Sequence, residues 1–77
     1  MIEEGKRYVF KKQYIEPSMG TINEGREIYK FRNALWMDGL PMPPSYSEYI
    51  TKLLENKDFL NEYIIMRDFS DSKYTIA

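Results

Sequence analysis

The sequence predicts a single α+β domain of 77 residues: an antiparallel β-meander or small barrel over residues 6–42, with one or two helices, at 45–55 and 57–66, packed on it. Three observations lead there. Tyr8-Val9-Phe10-Lys11 and Tyr29-Lys30-Phe31-Arg32 each place two rings two residues apart and end on a cation, which is the period of a half-buried strand in residues that favour strands. Turn residues punctuate the N-terminal half about every ten residues, as small twisted antiparallel sheets require. Beyond them Tyr46, Tyr49, Ile50, Leu53 and Leu54 recur at i, i+3, i+4, i+7 and i+8, one apolar stripe along a helix.

Met1 to Glu4 are expected to be a mobile lead-in, and the first strand follows Gly5. Its rings, Tyr8 and Phe10, are expected to present the same kind of face to one core as Tyr29 and Phe31. Glu16-Pro17-Ser18-Met19-Gly20 is a loop, because Pro and Gly so close together favour a turn. Thr21-Ile22 starts a further strand and Asn23-Glu24-Gly25 a further turn. The stretch from Gly25 to Gly39 holds the only tryptophan, Trp36. Within it Glu27, Tyr29 and Phe31 fall on one side of a strand, and Arg26, Ile28, Lys30 and Arg32 on the other. Arg32-Asn33 interrupts the strand, Asn being the residue that tolerates a left-handed turn conformation. Ala34 to Met37 is an uninterrupted apolar run, the signature of a strand covered on both faces. Asp38-Gly39 signals a hairpin, and Leu40-Pro41-Met42 returns as a short edge, since Pro41 has no N–H for a central ladder.

Pro43-Pro44 ends the β part. Ser45 and Glu48 have the spacing of a capping box, and Glu48 with Lys52 forms an i,i+4 pair. Asn56-Lys57-Asp58 interrupts the helical stripe, and Phe59, Leu60, Tyr63 and Ile64 begin another. Two helices with Asn56 able to cap both are preferred over one continuous helix in which Lys57 snorkels. Residues 68–77 are polar and expected to be mobile, with Lys73 to Ile76 forming a strand only where an edge accepts it.

Composition narrows the chemistry. The chain has no Cys and no His, which removes disulfides, thiolate metal sites, the commonest general base and the commonest zinc ligand. No metal or cofactor is expected. Stability must come from packing, for which an aromatic content of 16% is suited. The net charge of −1 argues against nucleic-acid binding by bulk charge. The charge is uneven: residues 1–33 carry seven Lys/Arg against five Glu, and residues 34–77 four Lys/Arg against seven Asp/Glu. No apolar run is long enough to span a bilayer, and Met-Ile-Glu-Glu does not open a signal peptide, so a cytoplasmic protein without membrane partners is expected.

Catalysis is not expected. The serines have no His to activate them, and a lysine base would need a dry pocket that so small a core rarely builds. Glu3-Glu4 and Asp68/Asp71 lie near the ends of the chain, where solvent keeps carboxylates ordinary. Asp68 to Ser72 lacks the Gly and terminal Glu of a calcium loop.

Two surfaces remain as binding candidates. Trp36, Met37, Leu40 and Met42, beside prolines on a sheet edge, suit a protein partner or self-association; the alternative is that the helical stripe covers all four. Lys6, Arg7, Lys11, Lys12, Lys30 and Arg32, interleaved with rings on two strands, suit single-stranded nucleic acid, where rings stack on bases and cations meet phosphates. The alternative there is that the rings are needed inside. Gly25 to Ile50, a glycine-turned meander running into a capped helix, resembles small uncharacterised proteins of Gram-positive bacteria and their phages, and the β part is similar in layout to SH3-like small barrels. The expectation is a non-catalytic interaction module of phage-like character, with a small single-stranded nucleic-acid binder as the runner-up.

Overall fold

The computed structural model describes residues 2–17 and 20–68. Seven strands and two helices follow in the order β1 Lys6–Phe10, β2 Tyr14–Glu16, β3 Gly20–Ile22, β4 Glu27–Phe31, β5 Ala34–Met37, β6 Leu40–Pro41, α1 Pro44–Leu54, α2 Lys57–Tyr63 and β7 Ile64–Asp68. Five strands form one antiparallel sheet in the order β6-β5-β4-β1-β7, and β2 and β3 form a separate hairpin. The predicted α+β arrangement is therefore found, as an open meander rather than a closed barrel: the five-stranded sheet has two ends, β6 and β7.

β1 and β4 pair in antiparallel register with Tyr8 opposite Ile28 and Arg7 opposite Tyr29. Directly opposed residues share a face, so Tyr8 and Ile28 look one way and Arg7 and Tyr29 the other. On the first face Tyr8, Phe10, Ile28, Leu35 and Ile64 join Ile50 and Leu54 of α1 and Phe59 of α2 in the core, and Phe10, Ile28 and Ile50 are fully buried. Each such side chain contributes about 1.5–3 kcal/mol of burial. The expectation that Tyr8/Phe10 and Tyr29/Phe31 serve one core is thus corrected: Tyr29 is buried too, but stacked on Trp36 on the opposite face, at 6.4 Å between ring centroids and 7° between planes.

The hairpin β2–β3 is an excursion between β1 and β4. The ladder resumes where it closes, with Phe10 N–H donating to Arg26 O and Gly25 N–H to Phe10 O. The hairpin brings Ile22 into the core and sets the Tyr14 ring edge-on to Phe59 at 4.9 Å and to Tyr63 at 5.0 Å. Tyr49 of α1 reaches it through hydrogen bonds with Glu16 and Tyr14, and burial is the main cause that holds its phenol protonated above the usual value.

Four local expectations are corrected. Ile2 is buried in the core, and Glu4 bridges to Lys30, so the lead-in is anchored at these residues. The helix α1 starts at Pro44, with Pro43 as its cap residue and no side-chain cap bond. Ser45 is therefore inside the helix, because Pro at the first position supplies the helical φ and needs no acceptor, and the Ser45–Glu48 capping box does not form. In the β4–β5 turn the left-handed residue is Arg32, at φ 61°, not Asn33. Finally α2 ends at Tyr63, three residues before the expected end, because Ile64 to Asp68 pair along the whole of β1, from Phe10 opposite Ile64 to Lys6 opposite Asp68. The break between the helices lies where the sequence places it: Asn56 Oδ1 accepts from Phe59 N–H at 3.2 Å. The expected strand at Lys73 to Ile76 and the mobility of residues 69–77 lie outside the described residues.

Candidate functional site

The hairpin that joins β5 to β6 turns on Asp38 and Gly39, both at positive φ (51° and 84°), the conformation that suits the twist of a two-residue hairpin loop. Asp38 ties the turn down twice, with Oδ1 accepting from Glu27 N–H at 3.0 Å and Oδ2 pairing with Arg26 Nη1 at 3.0 Å. The return strand is two residues long. Pro41 opposes Trp36 and cannot donate outward, which blunts this edge against further strand pairing. Beyond it Met42 N–H donates to Leu35 O, Ser47 Oγ donates to Met42 O, and the chain enters α1 through Pro43 and Pro44.

This path leaves a shallow apolar depression of about 290 Å³, lined by Met37, Leu40, Pro41, Met42, Pro43 and Tyr46, with Arg26 at one side. Met37, Met42 and Tyr46 also pack against the core, which fixes its floor. Leu40, by contrast, is 69% exposed at its margin. Three of the four residues expected to form a partner surface therefore meet here. The fourth does not: β5 alternates, so Trp36 lies on the far face of the sheet against Tyr29, and its indole Nε1 is buried without a hydrogen-bond partner among the described residues. Pro43, one of the prolines expected beside these residues, lines the depression as well, whereas Tyr46 was not among the expected lining residues. Tyr46 reads as part of the helical stripe, and its spacing to Pro41 across the hairpin has no local signature.

The six cations proposed for nucleic acid do not gather on one face. Lys6 pairs with Asp68 at 2.6 Å, which holds its ammonium charged above the usual range. Arg7 is buried on the far face, with Nη1 3.4 Å from Glu27 Oε2. Lys11 donates to Asn61 O at 2.7 Å. Lys12 pairs with Glu62 at 3.1 Å and lies over the Tyr63 ring at 4.8 Å. Lys30 lines a cavity beside α1. Arg32 is exposed in the turn, 5.0 Å over the Phe31 ring. The rings meant to interleave with them are core residues at Tyr8 and Phe10, while Tyr29 is buried and Phe31 half-buried.

Among the described residues no group of three or more Asp or Glu could hold a metal ion, and no helix is long and apolar enough to cross a membrane. No protein-family model, curated protein or solved structure matches the chain.

Proposed function

We propose that this domain is a non-catalytic interaction module whose binding surface is the depression at the β5–β6 hairpin. The single observation that supports it is the pairing of an apolar floor packed on the core, Met37, Met42 and Tyr46, with a largely exposed Leu40 beside two prolines. An aliphatic residue left in water next to a preformed apolar hollow is the usual composition of a contact patch. Methionines adapt to the shape of an incoming side chain. The occupant is a protein segment that inserts one apolar side chain. Pro41 makes addition of a strand at this edge the poorer route, so side-chain capture is favoured over main-chain pairing. A phage-like origin agrees with the resemblance of the meander-to-helix stretch and is part of the proposal, not of its support.

The test is selection from a random displayed-peptide library on the wild-type domain, counter-screened on Leu40→Asp, with folding of both checked by circular dichroism. Peptides sharing a large apolar anchor should be enriched and should bind the variant at least about tenfold more weakly, the loss expected for one buried aliphatic contact. Failure to enrich, or binding indifferent to Leu40→Asp, would overturn the proposal. Steeply salt-dependent binding of labelled single-stranded DNA at about 50 mM salt would instead favour the nucleic-acid reading.

A further inference from the structure

We infer that a second cavity, between the β4–β5 turn and α1, binds a carboxylate attached to a small apolar side chain, with Lys30 as the anchor. The cavity is about 470 Å³, within the range of small-ligand sites. Its floor is Ile2, Leu35 and Met42, and its α1 wall carries Ser47, Glu48 and Thr51.

Lys30 is the anomaly that gives this cavity a chemistry. It stands two residues after Ile28 and so shares the helix-facing side of β4, directly opposite the buried Leu35. An ammonium on such a face loses solvation unless a partner offsets it. Of the other described lysines, Lys6 has Asp68, Lys11 the Asn61 carbonyl, Lys12 has Glu62 and Lys52 has Glu48, and Lys57 is exposed to solvent. Lys30 is half-buried and has no carboxylate or carbonyl partner among the described residues. Glu48, the acid on the wall, is already paired with Lys52 at 3.7 Å and is 73% exposed. The Ser47 hydroxyl is engaged by the Met42 carbonyl.

One cation without a partner among the described residues, above an apolar floor, selects a monoanion with an apolar body. A phosphate would call for more than one positive charge, and Lys30 is the one cation among the residues that line the cavity. A free N-acylated amino acid and the C-terminus of a protein chain present the same chemistry, a terminal carboxylate beside an aliphatic side chain. The alternative occupant is water alone, with Lys30 snorkelling to solvent.

The probes are N-acetyl-leucine, its uncharged amide, and Gly-Gly-Leu with its C-terminus free or amidated, titrated into isotope-labelled protein and followed by amide chemical shifts. N-acetyl-leucine should shift Ala34, Leu35, Ser47 and Thr51 saturably, with the amide about tenfold weaker, the size of one charge-assisted hydrogen bond. Lys30→Gln should bring the acid down to the level of the amide, and Lys30→Arg should retain the difference. Tighter binding of free Gly-Gly-Leu than of N-acetyl-leucine would identify a chain terminus as the ligand, and equal binding a free acid. Equal binding of acid and amide, or no saturable shift at millimolar concentration, would overturn the inference. That comparison is made on the wild-type protein, so it stands even where Lys30→Gln fails to fold.

Discussion

The two faces of the five-stranded sheet are built from look-alike sequence and hold together differently. The face toward the helices is closed by aliphatic and aromatic burial, with Phe10, Ile28 and Ile50 free of water. The far face carries the Arg7–Glu27 ion pair, in which both side chains are largely buried, and the Tyr29–Trp36 stack. Tyr8-Val9-Phe10-Lys11 contributes its rings to the first face, whereas Tyr29-Lys30-Phe31-Arg32 contributes its rings to the second and its lysine to the first. The strand pattern is the same, and the difference is the one-residue offset by which Tyr8 meets Ile28 and not Tyr29. A slip of one residue exchanges every side chain between faces. Register, more than composition, therefore decides that the basic and aromatic residues do not assemble into one platform.

The largest effect should separate the two look-alike rings. Phe10→Ala should cost about 3–5 kcal/mol, as truncation of a fully buried ring does, and Phe31→Ala, half-buried on the other face, about 1 kcal/mol. Chemical denaturation of the two variants measures this, and equal losses would mean that the two faces are equally well packed. On the far face, Glu27→Ala leaves the buried Arg7 guanidinium without this carboxylate and should cost about 3 kcal/mol. A change within about 0.5 kcal/mol, the range of ordinary surface substitutions, would mean that the pair is solvated and that this face is held by the ring stack alone.

Smaller effects test the helix ends. Asn56→Ala should cost about 1 kcal/mol through loss of the bond to Phe59 N–H. Ser45→Ala should change stability by less than about 0.5 kcal/mol, because α1 is started by proline and not by a serine cap. The smallest effect depends on pH. Burial, then the bonds to Glu16 and Tyr14, raises the Tyr49 phenol above its ordinary value of 10.0. A raised folded-state value means that the stabilisation is fully present below about pH 10 and is lost as pH rises beyond it. Thermal midpoints between about pH 8 and pH 11 should fall more steeply for the wild type than for Tyr49→Phe.

What could be read from the sequence was local. The helix break at Asn56, the Asp38-Gly39 hairpin and the short β6 edge at Pro41 each rest on residues adjacent in the chain, and all three are present. What was missed depends on distant partners. Ile64 to Asp68 continue the α2 stripe by their apolar start, but β1 claims them across the length of the chain. Ile2 is buried because the core extends beneath the N-terminus, which Met-Ile-Glu-Glu does not announce. Met37, Leu40 and Met42 were legible as a cluster because a hairpin holds them together. Trp36 was assigned to that cluster because neighbours in a strand point to opposite faces, and an all-apolar run such as Ala34 to Met37 does not say which residue takes which. Lys30 reads in the sequence as one of a row of cations, whereas in the fold it lines the cavity beside α1.

The register of β1 against β4 underlies all of this, and a through-space proton–proton NMR spectrum of the aromatic rings tests it most directly. Cross-peaks are expected between Phe10 and Phe59, whose centroids are 5.9 Å apart, and between Tyr29 and Trp36, with none from the Tyr29 ring to Ile50 of α1. Cross-peaks from Tyr29 to Ile50, or from Tyr8 to Tyr29 side by side on one face, would contradict it and would put both ring pairs back on a common surface.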